Sequence, residues 1–129
     1  MTRSEKLLAA FLLVAGAAHF LNPDFFDAIV PPWAPGSARF ATYASGVAEL
    51  LVGFGILVKQ TRRYALWSAA ALFLAVYPAN LYMAWDWRDR ELADRLVAYG
   101  RLPLQIPMIW WAVALARRSR SVVSDAGTV

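Results

Sequence analysis

Residues 40–84 read FATYASGVAELLVGFGILVKQTRRYALWSAAALFLAVYPANLYMA, and they decide the fold. Two apolar runs, Phe40 to Val58 and Tyr64 to Ala84, flank a short basic connection, Lys59 to Arg63. A membrane helix needs roughly 20 predominantly apolar residues, and both runs meet that length. The connection is too short for anything but a tight turn, so the two runs predict a helical hairpin. Working outward, Leu7 to Leu21 and Leu102 to Ala116 are two further apolar blocks. Each is short for a span, but flanking Arg and Lys side chains extend such helices by reaching to the interface.

Charge gives an independent test. With four spans, the N-terminus, the 59–63 turn and the C-terminal tail share one side, which gathers Arg3, Lys6, Lys59, Arg62, Arg63, Arg117, Arg118 and Arg120. The only acids there are Glu5 and Asp125. The other side mixes Arg39, Arg88, Arg90, Arg95 and Arg101 with Asp24, Asp27, Asp86, Asp89, Glu91 and Asp94. Positive residues collect on the cytoplasmic side, so the pattern predicts both termini inside. An alternative treats Arg3, Lys6, the first apolar run and Ala15-Gly16-Ala17 as a signal peptide, whose removal would leave three spans.

Composition agrees. The 129 residues are 60% hydrophobic and 17% charged, with mean hydropathy +0.44. A soluble domain averages about 45–50% apolar and about 25% charged. Disorder is excluded by the hydrophobicity. The absence of cysteine excludes a disulfide scaffold, thiol catalysis and cysteine-held metal clusters. No phosphate loop, dinucleotide fingerprint or serine nucleophile elbow is present. The tail motif RRSRS is too short to argue for nucleic acid, and a topology anchor explains it.

The expected architecture is therefore an all-α integral membrane four-helix bundle, N-in and C-in, in one domain over residues 1–120. Its spans are 7–21, 40–58, 64–84 and 102–116. An outer Pro-rich loop covers 22–39, an outer amphipathic segment covers 86–100, and 121–129 form a flexible cytoplasmic tail. The 22–39 loop carries Pro23, Pro31, Pro32 and Pro35 among Phe25, Phe26, Ile29, Val30 and Trp33. It reads as an ordered turn or re-entrant flap. In 86–100, Leu92, Leu96 and Tyr99 fall on one helical face; a solvated charged loop is the other reading of that segment.

Ionisable groups inside hydrocarbon are expensive and face the bundle interior. Each span carries one strong polar group in its outer half: His19, Glu49, Asn80 and Gln105, with Arg101 at the mouth. Faces agree as well. Thr42, Ser45, Glu49 and Gly53 form one stripe; Leu12, Ala15, Gly16 and His19 form a second. Phe73, Tyr77 and Asn80 share a third, and Arg101, Gln105 and Met108 a fourth. Pro78 frees the carbonyl of Leu74, and Pro107 that of Pro103, as helix kinks beside cavities do. These features predict a polar pocket among four helices, opening outward, with Glu49 deepest. Each residue also has a plainer reading. Glu49 could be a hydrogen-bonded strut, and His19 a helix-end cap. Asn80 and Gln105 could be interhelical glue, and Arg101 an interface anchor. Met83 and Met108 are packing residues, and one His without Cys argues against a metal site.

The strings GAAHFLNPDFFDAIVPPW (16–33), SGVAELLVGFGIL (45–57), AVYPANLYMA (75–84) and RLPLQIPMIWWA (101–112), in this order, resemble the DoxX-like family of small membrane proteins. The resemblance covers residues 14–116. It implies a four-helix membrane bundle and marks His19, Pro31, Gly46, Glu49, Pro78, Asn80, Arg101, Pro103 and Gln105. The family name is tied to a membrane subunit of a thiosulfate:quinone oxidoreductase. Relatives are associated with oxidative-stress complexes, and distant eukaryotic ones with assembly or export. Some relatives carry cysteines; this chain has none, so a thiol relay is excluded.

The resulting expectation is a multi-pass inner-membrane, non-catalytic subunit that binds a quinone- or lipid-like molecule for a redox pathway. The head group would meet His19, Glu49, Asn80 and Gln105, with Arg101 near by and Phe73 and Tyr77 as walls. No intrinsic cofactor or metal is expected, with quinone as the one candidate. The expected partners are the bilayer, redox-enzyme proteins and a second copy, with no nucleic acid. Two alternatives stand: a scaffold or assembly factor with a purely structural polar cluster, and a stand-alone enzyme or proton-coupled carrier using Glu49 and His19.

Overall fold

The structure, a computed structural model, describes residues 1–119. It is all-helical: α1 (Arg3–Leu21), α2 (Pro23–Asp27), α3 (Ala38–Leu57), α4 (Arg62–Asp86) and α5 (Leu92–Arg118), with no strand among the described residues. The tail expected at 121–129 lies outside the described residues.

Local sequence sets the helix ends. Thr2 and Glu5 form a reciprocal capping box: the Glu5 amide donates to the Thr2 hydroxyl at 3.1 Å and the Thr2 amide to Glu5 Oε1 at 3.2 Å. α1 stops at Asn22, and Pro23 opens α2 at a position where its missing N–H costs nothing. The loop after α2 turns at Gly36, whose φ of 76° suits glycine. Ser37 then caps α3 by accepting from the Phe40 amide at 3.0 Å. The α3–α4 turn is tied by Thr61, whose hydroxyl donates to the Gly55 carbonyl at 2.7 Å.

Two features differ from the sequence-based boundaries. The loop expected over 22–39 is partly helical, through α2 and the start of α3. The amphipathic segment expected over 86–100 is not a separate element. From Leu92 it runs without a break through Pro103 and Pro107 into the last helix. Each proline removes one ladder bond but leaves its neighbours bonded, so the helix continues.

α1 packs mainly on α3 and α4 mainly on α5, while α3 and α4 join the two pairs; α1 and α5 barely meet. The α1–α3 contact is backbone-close at Gly16 and Gly46. A Cβ on Gly46 would lie 2.9 Å from His19 Cβ and 3.2 Å from the Gly16 carbonyl oxygen. Small residues permit such approach. It is what brings α1's His19 beside α3's Glu49.

One end of the bundle is filled. Leu8, Leu12, Ile56, Leu66, Ala69, Phe73, Ala112 and Leu115 form a continuous apolar core there. At its margin Glu5 is buried and meets Arg62 Nε at 3.6 Å, and the same nitrogen donates to the Ile56 carbonyl at 2.8 Å. The other end has only a small cluster of Ile29, Met83, Trp87 and Ala98.

The outer surface is apolar. Val14, Leu51, Leu74, Leu104 and Trp110 are all more than half exposed. Water would penalise such a surface, whereas lipid would not. α1, α3 and α4 are each long and apolar enough to cross a membrane. α5 is long, but charged residues Asp94, Arg95 and Arg101 interrupt its first half.

Candidate functional site

A cavity of about 240 Å³ opens at the loosely filled end. Its walls are α3, through Ala41, Thr42, Ser45 and Glu49, and α4, through Ala75, Val76, Ala79 and Asn80. His19 enters from α1 and Arg101 from α5. The segment after α2 forms the roof with Ile29, Val30, Pro31, Trp33 and Ala34, and α2 adds Phe26.

His19 is almost fully buried, and its ring stacks on Phe26 with centroids 3.8 Å apart and planes 18° from parallel. Its Nδ1 lies 2.7 Å from the Ala15 carbonyl. A carbonyl oxygen only accepts, so Nδ1 carries a proton, and in the neutral ring the basic lone pair sits on Nε2. Glu49 Oε2 lies 3.3 Å from the same Nδ1. Because that hydrogen is committed to Ala15, Oε2 is buried without a hydrogen-bond partner. Trp87 Nε1 and Arg95 Nε share that condition outside the cavity. Buried polar atoms are ordinarily satisfied, so each such atom asks for an explanation. Arg101 is half-buried, and no carboxylate among the described residues pairs with it.

The structure thus brings together four of the residues singled out from sequence: His19, Glu49, Asn80 and Arg101. Gln105 and Tyr77 are not in the cavity lining. Gln105 instead binds α5 to α4: its Nε2 donates to the Phe73 carbonyl at 2.6 Å, and its Oε1 accepts from Asn80 Nδ2 at 3.4 Å. The carbonyl that gains this side-chain partner is Phe73, one residue before Leu74. Tyr77 fails geometrically: it sits about 100° around α4 from Val76, beyond Asn80 and away from the cavity wall. Phe73 belongs to the apolar core and packs edge-on against Phe11 at 6.3 Å. The aromatic walls are therefore Phe26 and Trp33, from the flap, and not Phe73 and Tyr77.

The flap is latched, which sequence reasoning missed. Arg39 Nη2 donates to Asp24 at 2.7 Å, Arg39 Nε to Asp27 Oδ2 at 2.8 Å, and the Thr42 hydroxyl to Asp27 Oδ1 at 2.6 Å. The Thr42 hydroxyl, foremost, and the Arg39 guanidinium hold Asp27 below the ordinary carboxylate value of 3.8; its partial desolvation opposes them. These partners lie 12 to 15 residues apart, so no local spacing announces them. The only signal was two acids and one Arg in an otherwise greasy segment.

Among the described residues no three His, Cys, Asp or Glu groups come together as a metal site would need. In comparisons with known proteins, a family model described as "Domain of unknown function (DUF8561)" matches residues 8–116. No curated protein and no solved structure matches the chain.

Proposed function

The chain belongs to the DUF8561 family, whose description carries no activity, and we propose from the site itself that it is a membrane-embedded, non-catalytic binding subunit for a small quinone- or lipid-like molecule. In this reading α5 is the fourth span, since it exposes Leu104, Ile106 and Trp110 as the other helices expose their apolar faces. Both termini lie on the cytoplasmic side, with the cavity in the outer half of an inner membrane. The resemblance to DoxX-like proteins makes a redox pathway the setting, with protein partners carrying any cofactor.

One observation carries the proposal. An unpartnered buried carboxylate oxygen of Glu49 and Arg101, which no carboxylate among the described residues pairs, line the same cavity under an aromatic flap. Ligand sites are mostly apolar concavities with a few converging polar groups. This volume suits a head group, with any tail left in the bilayer. The Asn80–Gln105–Phe73 network, by contrast, favours a structural role for that pair, which is what the scaffold alternative requires of the whole cluster.

Native mass spectrometry of protein released gently from its own membranes tests the reading. A stoichiometric adduct in the wild type, lost in Glu49→Gln, is expected. Equal spectra from two equally folded proteins would make Glu49 a strut and favour the scaffold. Topology has its own test, because the chain lacks cysteine. Lys59→Cys should resist and Arg90→Cys should accept an impermeant thiol label applied from outside; the reverse pattern would overturn the orientation.

A further inference from the structure

The cavity holds one acid and one base, Glu49 and Arg101, that make no close ion-pair contact with each other. Buried charges are normally neutralised by a partner, and leaving one alone is costly. At the opposite end of the bundle a buried acid is paired in this way: Glu5 has Arg62. The cavity therefore holds the two halves of an ion pair with a gap between them.

Resting on the binding reading above, we infer that the gap is filled by a short zwitterion, a primary ammonium and an acidic phosphate on one small head group. The ammonium donates to Glu49 Oε2, the atom whose nearest N–H already serves Ala15. The phosphate accepts from the Arg101 guanidinium, which is the side chain best shaped for it. Phe26 and Trp33 line the same cavity and give it apolar walls. A net anion would meet Glu49 and a net cation would meet Arg101, so either alone is disfavoured. A trimethylated ammonium is disfavoured by the same atom, because it has no N–H to give Oε2.

The chemistry has two sources: the head group of an ethanolamine phospholipid, and free glycerophosphoethanolamine, whose phosphodiester keeps the same net-neutral charge. Delipidated full-length protein in mild detergent is mixed with phosphatidylethanolamine or with phosphatidylcholine of identical chains, and adducts are counted by native mass spectrometry. The wild type should retain the ethanolamine lipid about tenfold better than the choline lipid, the scale of losing one buried charge-assisted contact. Glu49→Gln should abolish the difference, whereas Arg101→Gln should weaken retention of both lipids alike, because both carry the phosphate. Free glycerophosphoethanolamine that displaces the lipid identifies the soluble source; no displacement identifies the bilayer source. Equal retention of the two lipids by the wild type overturns the inference, and needs no variant to fold. A Glu49-dependent adduct without an ammonium also overturns it while leaving the binding reading standing. If no Glu49-dependent adduct of any kind is found, both fall.

Discussion

The bundle has two buried acid–base groupings, one at each end, and they are built to opposite rules. At the filled end Glu5 belongs to a capping box and meets Arg62, which in turn binds the Ile56 carbonyl. Every group there has a protein partner, and the neighbouring space is packed with Leu8, Ile56 and Leu66. At the cavity end Glu49 and Arg101 are left apart, and the space between α3 and α4 is open. In the binding reading, the difference assigns the two ends of one small chain different roles. Satisfied charge beside dry packing holds helices together, whereas unsatisfied charge beside empty space is an instability kept for something else.

Substitutions at the two ends should therefore move different observables. The largest stability loss is expected at the filled end. Leu66→Ala should cost about 2–5 kcal/mol in detergent unfolding, while the ligand adduct per folded molecule stays at the wild-type level. Equal loss of binding would mean that the two ends are not separable. Gly46→Ala comes next, at about 1–3 kcal/mol, because the added methyl meets His19 and the Gly16 backbone. It should be the one change that harms both observables, since it also pushes His19 from Glu49. Glu5→Ala should cost about 1–3 kcal/mol, through the lost capping box and the buried Arg62 left without its carboxylate, again without touching binding. Glu49→Gln should reverse the pattern: stability within about 0.5 kcal/mol of wild type or above it, and ligand occupancy lost.

The smallest effect concerns the flap and is read by pH. Asp27 is held below its ordinary value, so its contribution is complete at neutral pH and is lost only as pH falls through the lowered value. Emission from Trp33, obtained as the difference between wild type and Trp33→Phe, should stay constant from pH 7 down to the ordinary carboxylate range and change below it. Asp27→Asn should already show the acid form at neutral pH. A wild-type transition above pH 5 would assign the latch to another group.

The helices were legible in the sequence because apolar run length and charge placement are one-dimensional signals. Where Pro103 was read as the edge of a span, the structure carries α5 straight through it, since the neighbouring ladder bonds suffice. Grouping His19, Glu49, Asn80 and Arg101 needed only their matching depth on successive antiparallel helices, and they do share the cavity. Depth alone could not distinguish the two sides of a helix, so it also drew in Tyr77 and Gln105. The α4 rotation that sends Val76 and Ala79 to the cavity turns Tyr77 away, and Gln105 is consumed by the Phe73 carbonyl. The Arg39 latch was invisible for a different reason: it joins parts of the chain that only folding brings together.

The flap is the longest connection in the molecule, yet no helix depends on it for its neighbour. α1 is fastened to α3 by the Gly16–Gly46 contact, independently of the peptide that links them. A protease nick near Trp33, at the exposed rim, would therefore produce a two-piece protein that still migrates as one particle and keeps its melting behaviour. Its roof segment would be cut free at Trp33, while α2 stays latched to Arg39. Limited digestion thus offers a scarless way to unroof the site, with the uncut protein as its own control.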